Sequence, residues 1–367
     1  MKTAFLIIVF LHGIIHSLGF LKGFQLKEIK ELSLPISKPM AVIWLIATLL
    51  FILYGVLYFA NNKYAWLIGF LAIAVSQFLI IFYWKDAKFG TIPNVIILIV
   101  VLVSYGHFNF QNLVLSETTL ILEKSDAKKE SILSDEDIKD LPSPVQKWLN
   151  RSGAVGKPKI NVGKVIQKAE LKMKPEQKDW LSANAVQYTT IDVPAFLWSV
   201  DVEMNRFIGF QGRDKFVDGK GEMLIKVNSL INVVNEKGKK LDEGTMQRYL
   251  GEMVWFPSLA LSPYVSWKEI NDTIATATMD FKGTKASGTF YFSKEGDFVK
   301  YSAMRFMGNE KEAKKHEWIL LVDEYKTFEG IKVPSKMTAT WKLENEDWTW
   351  FKLEIVDIKY NENISKF

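Results

Sequence analysis

Cysteine is absent from the chain, and histidine occurs only four times in 367 residues. The protein therefore has no disulfide framework, no thiolate nucleophile and no cysteine-based zinc site. A G-x-S-x-G turn and an H-E-x-x-H helix are also missing, and His316, the one histidine outside the apolar region, has no obvious partner. The sequence nominates no catalytic residue, no metal ligand and no cofactor.

The chain also has little net charge. The 46 lysines and arginines are nearly matched by 41 aspartates and glutamates, and the excess lysines are scattered along the chain. Proteins that bind nucleic acids gather such residues into a basic stripe or patch. No nucleic-acid partner is therefore expected.

Four long apolar stretches occupy the N-terminal third of the chain, at residues 3–20, 40–60, 64–84 and 91–110. Each runs for about 20 residues, the length that a helix needs to cross a bilayer core of roughly 30 Å. After residue 110 the chain becomes charged and rich in aromatic residues, with the alternation that is typical of β-strands. The sequence predicts membrane spans followed by a large soluble β domain.

The lysines near the predicted spans indicate an orientation. The first and third loops carry most of them: Lys22, Lys27, Lys30 and Lys38 in the first, and Lys85 and Lys88 in the third. The second loop has only Lys63. Because cytoplasmic loops are enriched in positive charge, we expect an integral protein of the cytoplasmic membrane with its soluble domain on the extracytoplasmic side. The lipid bilayer is then a partner, and the sequence does not identify protein partners.

Three segments follow from this pattern: a four-span transmembrane domain at 1–112, a juxtamembrane linker at 113–133 and an extracytoplasmic antiparallel β domain at 134–367. Short helices are predicted to begin at Ser134 and Pro144. A further helix near 242–255 is predicted by apolar residues at i, i+3, i+4 and i+7, which are Met246, Tyr249, Leu250 and Met253.

Twelve strands are predicted by alternating polarity, with turn residues such as Asp218-Gly219 and Lys282-Gly283 between them. Short connections favour antiparallel neighbours. We therefore expect an α-helical four-span bundle plus an α+β soluble domain, in which a curved antiparallel half-barrel sheet wraps around a helix. A closed barrel with a helical lid is the alternative.

Two groups of motifs resemble known families. Glu329-Gly330 followed by Ile331-Lys332-Val333-Pro334 resembles a hairpin of the periplasmic lipoprotein-carrier superfamily. That resemblance implies an unclosed half-barrel that holds acyl chains in its hollow. A second group, spread over 134–360, resembles an uncharacterised bacterial membrane-anchored family, and it implies no mechanism. Its motifs are Leu141-Pro142-x-Pro144-Val145, Val193-Pro194-Ala195-Phe196-x-Trp198, Asp218-Gly219-Lys220-Gly221 and Arg248-Tyr249-Leu250-x-Glu252-x-x-Trp255-Phe256-Pro257.

A set of aromatic and charged residues is the candidate lining of a hollow under the sheet: Phe196, Trp198, Arg248, Tyr249, Glu252, Trp255, Phe256, Tyr264 and Trp267. Aromatic residues in such positions are more often ordinary core, and they line a pocket only where the sheet leaves space. Arg248 and Glu252, four residues apart on the predicted helix, form either a structural ion pair or a contact for an anionic headgroup.

Three histidines lie in the predicted spans, namely His12, His16 and His107. Ionisable residues inside a membrane suggest a haem, a metal or a proton path. At about 1.5 Å per residue, however, His107 lies too shallow to share an iron with His12. We therefore favour neutral imidazoles that hydrogen-bond to residues such as Ser76 and Gln77 and hold the helices together.

The function expected from these patterns is a membrane-anchored binding protein for a lipid or another apolar ligand, in the handling of envelope lipids or lipoproteins. Two alternatives stay open. One is an enzyme that modifies an envelope lipid or glycan, with Glu252, Asp201 or Asp218 as the acid. The other is a sensor or assembly factor that signals through the spans.

Overall fold

The chain divides into two compact units, which are described separately. The computed structural model describes residues 2–125 and 131–362. The first unit comprises the N-terminal region as far as Asn112 together with Asn228–Leu230, and we call it the helical unit. The second comprises Leu113–Val227 and the chain from Ile231 onward, and we call it the β unit.

The helical unit contains the apolar helices, the last of which continues past Asn112 into the β unit. They are α1 (Lys2–Gly23), α2 (Lys38–Phe59), α3 (Ala65–Phe82), the short α4 (Trp84–Ala87) and α5 (Thr91–Glu123). In the described part of the chain, four helical segments are long and apolar enough to cross a membrane, as the sequence predicts. Val9, Phe51, Tyr54, Ile97 and Val101 are buried where the helices pack, whereas many other apolar side chains are exposed. An apolar outer surface is what a bilayer requires of a spanning helix.

The β unit opens with two short helices, α6 (Asp135–Ile138) and α7 (Ser143–Arg151). Ser134 caps α6 in a reciprocal arrangement with Asp137, so the predicted N-cap is correct. Pro144 lies in the first turn of α7, where its missing N–H costs no hydrogen bond. These helices pack onto the core through Ile138 and Trp148.

One antiparallel sheet of 13 strands forms the body of the β unit. Its first half contains β1 (Val162–Leu171), β2 (Leu181–Thr190), β3 (Ala195–Glu203), β4 (Gly209–Val217), β5 (Lys220–Val227) and β6 (Ile231–Lys237). Its second half contains β7 (Val265–Asn271), β8 (Ile274–Phe281), β9 (Thr284–Phe292), β10 (Phe298–Phe306), β11 (Lys315–Phe328), β12 (Ile331–Lys342) and β13 (Asp347–Tyr360).

The strand order shows that the sheet is open. Each half is a meander, and the two halves join in the middle where β1 pairs with β13. The edges are β6 and β7, at opposite ends of the strand order. The expected half-barrel fold class is therefore confirmed, and the closed-barrel alternative is wrong.

The sequence predicts one strand too few, because residues 222–233 read as a single strand. In the structure this stretch contains the end of β5 and the start of β6, joined by a turn at Asn228 and Ser229 with φ of 48° and 58°. Asparagine tolerates the left-handed region better than most residues, but the alternation of apolar residues continues across the turn and conceals it.

A helix joins the two edges of the sheet and packs on one of its faces. This helix, α8 (Lys239–Gly251), contacts β4, β5, β9 and β10, and two 3-10 turns follow it at Glu252–Trp255 and Pro257–Leu261. It begins at Lys239, three residues before the predicted start. Asp242 lies within its first turn, and its carboxylate accepts hydrogen bonds from the backbone N–H of Gly221 and from Lys220. The predicted apolar face is buried, with Met246, Tyr249, Leu250 and Met253 in the main core.

The last apolar helix continues further than the sequence predicts. Residues 113–123, assigned to a linker, are the last turns of α5, and Val114, Thr118 and Ile121 are buried along one side of them. Glu117 lies 2.9 Å from Arg213 Nε and 2.8 Å from Lys215 Nζ, both on β4. Burial and ion pairing hold this segment helical. Residues 126–130 of the predicted linker lie outside the described residues.

Glu222 on β5 completes this ion cluster and makes the β unit sensitive to acid. Burial acts to raise the pKa of Glu222, but hydrogen bonds from Lys237 and Lys215 and the nearby Arg213 outweigh it and lower the pKa to about 2. A carboxyl group whose pKa is lower in the folded state stabilises that state above the ordinary pKa of about 4.5, and this contribution disappears as the pH falls toward 2. We expect Glu222→Gln to destabilise the protein by about 2 kcal/mol at pH 7 and by much less at pH 3.

Urea unfolding of the full chain at pH 7, 5 and 3 checks this expectation. Glu203→Gln, which removes an exposed carboxylate at the end of β3, is the matched control and is expected to have little effect. A loss in Glu222→Gln that stays the same at all three pH values would show that the carboxylate is not held by these cations.

Candidate functional site

Arg248 on α8 is held by three polar side chains beneath the sheet. Its Nε donates to Glu252 Oε1 at 2.7 Å, and its Nη1 donates to Asp214 Oδ2 at 2.8 Å. Its Nη2 donates to Gln187 Oε1 at 3.0 Å, and the Gln187 amide donates in turn to Glu252 Oε2 at 2.6 Å. The four side chains form a closed network that fixes the guanidinium.

Two aromatic rings enclose the same guanidinium. Arg248 Cζ lies 4.9 Å from the centroid of Phe196 and 4.8 Å from that of Trp198, both within cation–π range. The strand register explains this arrangement, since Gln187, Trp198 and Asp214 lie directly opposite one another on β2, β3 and β4. Residues opposite each other in antiparallel strands share a face of the sheet. All three side chains therefore contact Arg248 of α8 from the same face.

The electrostatics of the network favour a permanently charged arginine. Burial acts against the charge, but Glu252 and Asp214 outweigh it and raise the pKa of Arg248. Burial raises the pKa of Asp214, and the nearby arginines oppose that change. The side chains of Arg248 and Asp214 are still 15% and 20% exposed, compared with 8% for Glu252. The ion cluster therefore lies at a place that solvent reaches.

A second arginine, Arg305 on β10, lies on the same face of the sheet. Its Cζ lies 4.6 Å from the Trp318 centroid and 6.0 Å from that of Trp341. On its other side is Gly244 of α8, where an added Cβ would be 3.0 Å from Arg305 Nε. Glycine at this position leaves the room that the guanidinium occupies.

Aromatic residues extend from this region across β11, β12 and β13, buried on β11 and β12 and partly exposed on β13. Trp318 lies opposite Trp341, and Trp341 lies opposite Trp348, so the three form one row. The ring of Phe351 on β13 is 6.4 Å from that of Trp198. Apolar side chains that pack on the core yet keep part of their surface exposed are Trp198, Trp348, Trp350, Phe351 and Leu353.

The structure brings together four of the nine residues proposed from the sequence, namely Phe196, Trp198, Arg248 and Glu252. Phe196 is fully buried, so only its contact with Arg248 links it to the exposed surface. Tyr249 is buried, and its hydroxyl donates to the Thr190 carbonyl at 2.7 Å.

The remaining four candidate residues lie away from Arg248: Trp255, Phe256, Tyr264 and Trp267. Trp255 is buried and donates to the Pro334 carbonyl at 3.1 Å, and Phe256 is fully buried. Tyr264 packs on Phe281, and the Trp267 indole donates to the Ala260 carbonyl at 3.0 Å. These residues belong to the core or to the end of the sheet near β7.

Sequence reasoning missed Gln187, Asp214 and Arg305. Each lies on a predicted strand, so the alternation of inward and outward positions could have indicated that its side chain faces the core side of the sheet. Arg305, for example, is two residues from buried Ala303 and four from buried Tyr301. Their partners are distant in the chain, however, and only the register brings them together.

The three carboxylates proposed as acids do not share a site. Glu252 is bound by Arg248 and Gln187, whereas Asp201 is exposed on β3. Asp218 lies in the turn between β4 and β5, 3.0 Å from Lys124 Nζ. Among the residues that the structure describes, no three His, Asp or Glu side chains are grouped to hold a metal ion.

The histidines of the helical unit form a separate polar cluster. His12 Nε2 is 2.9 Å from Asn94 Oδ1, and His16 Nε2 is 2.9 Å from Ser76 Oγ. Ser76 is one of the partners that the sequence suggests, whereas Asn94 is not. His107 is exposed and lies apart from this cluster.

A shallow polar depression lies on α7, away from the aromatic row. It is lined by Ser143, Gln146, Lys147, Asn150, Arg151 and Glu295. With no apolar side chain in its lining, it offers nothing to a hydrophobic guest.

The fold and the site together define a class: proteins with apolar N-terminal helices followed by an open half-barrel that holds a partly exposed cluster of arginines and carboxylates. Residues 131–353 match the family of unknown function DUF6544, and this match covers more than half of the chain. The chain therefore belongs to that family, which confirms the resemblance to an uncharacterised family. No match is found among curated proteins.

Two solved structures are similar to the chain. One is a LolA superfamily protein from Nitrosomonas europaea, with 7% identity and a TM-score of 0.31, over 59% of this chain and 93% of that one. The other is a β-barrel-like protein of the domain of unknown function DUF1849 from Brucella abortus. It has 10% identity and a TM-score of 0.25, over 55% of this chain and 98% of that one.

Proposed function

We propose that this protein is a membrane-anchored binding protein whose β unit holds a lipid or another apolar ligand on the helix-covered face of its sheet. The observation that carries the proposal is the set of partly exposed aromatic side chains beside the ion cluster, above all Trp198 and Phe351. The same face supplies both apolar surface and a fixed charge, which is the usual composition of a ligand site.

These aromatic side chains are incompletely covered by the protein itself. Apolar surface removed from water contributes about 25 cal/mol per Å². A guest that covers about 200 Å² of Trp198, Trp348, Trp350 and Phe351 would gain about 5 kcal/mol before the cost of its own ordering. That gain is enough to favour an acyl chain over water.

The proposed location follows from the apolar helices and the lysines. Four helical segments are long and apolar enough to cross a membrane, and the first and third loops carry most of the flanking lysines. By the positive-inside rule the β unit then lies on the extracytoplasmic side of the cytoplasmic membrane. An anchored binding unit of this kind would take its guest from the adjacent bilayer.

Co-purification tests the proposal. We expect the full chain, extracted in a neutral detergent, to carry lipid that native mass spectrometry detects, and we expect Trp198→Ala to lose most of it. Trp180→Ala is the matched control, because Trp180 lies against Lys172 and Lys352 on the other face of the sheet.

The outcome that contradicts the proposal is equally clear. If the wild-type chain carries no lipid and takes up none when lipid is added, the β unit is not a lipid-binding module. If Trp180→Ala and Trp198→Ala lose lipid to the same extent, the lipid is bound somewhere other than the helix-covered face.

A further inference from the structure

Arg305 differs from Arg248 in having no carboxylate of the described residues in direct contact with its guanidinium. Among residues 2–125 and 131–362, its guanidinium forms no hydrogen bond and no ion pair, and it lies over the faces of Trp318 and Trp341 and beside Gly244 of α8. Burial, followed by the nearby Arg248, lowers the pKa of Arg305 to about 10, although Asp214 and Glu252 act in the opposite direction. The group is still protonated at neutral pH, so the site holds a cation that is only partly neutralised.

Three indole N–H donors without an acceptor in the described part of the chain lie on the strands that follow this cation in the sheet, and the nearest belongs to Trp318. The indole Nε1 atoms of Trp318, Trp348 and Trp350 are enclosed and have no acceptor among the described residues. Trp318 and Trp348 belong to the row that crosses β11, β12 and β13, next to Arg305. An enclosed donor without an acceptor costs free energy, so such donors in native proteins usually have a reason.

These groups can only donate hydrogen bonds. A guanidinium offers five N–H donors and no acceptor, and an indole N–H is a donor only. The complementary ligand group has several acceptor oxygens and a negative charge, as a carboxylate or a phosphate has.

We propose that Arg305, together with the indole N–H groups of Trp318 and Trp348, forms a subsite for the anionic head of an amphiphilic ligand. This inference rests on the proposed function and narrows it, since the guest is then an anionic amphiphile rather than any apolar molecule. The head pairs with Arg305, and the apolar chain lies along Trp198 and Phe351.

Binding of matched amphiphiles to the full chain in neutral detergent tests this subsite. The probes are hexadecanoate, hexadecyl phosphate and methyl hexadecanoate, which share one chain length and differ in the head. We expect the wild type to bind at least one anion about tenfold more tightly than the ester, and the tighter anion identifies the head as carboxylate or phosphate. In Arg305→Gln that preference is lost, while Arg206→Gln, which removes an exposed arginine, keeps it.

A second variant tests whether weaker anion binding in Arg305→Gln comes from the lost charge or from a damaged fold. Gly244→Ala keeps Arg305 but places a Cβ 3.0 Å from its Nε, and alanine favours the helical state of α8. We expect this variant to bind the anions more weakly and the ester as well as the wild type does.

The outcomes separate this inference from the function on which it rests. If the ester binds as tightly as the anions, or if Arg305→Gln keeps the preference for anions, the anionic subsite is wrong and apolar binding still holds. If none of the three probes binds, the proposed function itself fails.

Discussion

Arg248→Met is expected to lower the free energy of unfolding of the β unit by about 3–5 kcal/mol. The substitution leaves the carboxylates of Asp214 and Glu252, which are largely removed from water, without the guanidinium that binds both. Breaking a buried ion pair from one side costs more than the pair contributes, because the remaining charge has lost its solvent and its partner. Urea unfolding of the full chain in neutral detergent, followed by tryptophan fluorescence, measures the loss.

A combined variant distinguishes this cause from a loss of packing. Adding Asp214→Asn and Glu252→Gln to Arg248→Met removes the two orphaned charges, and we expect at least about half of the lost stability to return. Arg206→Gln, an exposed arginine, is expected to stay within about 0.5 kcal/mol of the wild type. A cost below about 1 kcal/mol for Arg248→Met would mean that water already solvates the cluster.

Gly288→Ala on β9 is expected to destabilise the β unit by about 3 kcal/mol. A Cβ at this position would lie 2.1 Å from the Tyr301 hydroxyl oxygen and 2.2 Å from Tyr301 Cζ, far inside van der Waals contact. The ring cannot move aside easily, because it is fully buried and its hydroxyl donates to the Gln247 carbonyl at 2.9 Å. The same unfolding measurement reports the effect.

The control for this substitution is a change at the neighbouring residue, Ser287. Ser287 is exposed on the opposite face of β9, and Ser287→Ala is expected to change stability by less than about 0.5 kcal/mol. Adding Tyr301→Leu to Gly288→Ala shortens the side chain that clashes, so part of the loss should return. If Gly288→Ala is as stable as the wild type, the Tyr301 ring does not fill the space above Gly288.

Local sequence patterns were sufficient for the architecture. The i, i+3, i+4 and i+7 spacing of Met246, Tyr249, Leu250 and Met253 identified the buried face of α8. The pairs Asp218-Gly219 and Lys282-Gly283 marked turns in which both residues have positive φ, as tight hairpins require. Each of these signals depends on neighbours within a few residues, which is the range over which periodicity and turn chemistry act.

The site depended on contacts that no local pattern contains. Arg248 and Glu252 are four residues apart and were found, but Gln187 and Asp214 meet them only through strand pairing. Arg305 was missed for the same reason, since a lone arginine on a strand is usually a solvated surface residue. The extension of α5 was missed because Glu117 finds its cationic partners, Arg213 and Lys215, about a hundred residues later in the chain.

Because β1 pairs with β13, the sheet cannot be completed until the last strand has been synthesised. The ribosome releases β1 long before β13, and at roughly 5–20 residues per second the interval lasts roughly 10–40 s. Throughout that time the inner edge of β1 has no neighbour, and an uncovered edge of this kind can recruit a strand from another nascent chain. A stop codon between residues 343 and 347 would therefore release two meanders, β1–β6 and β7–β12, in which β1 and β12 both lack β13 as a neighbour.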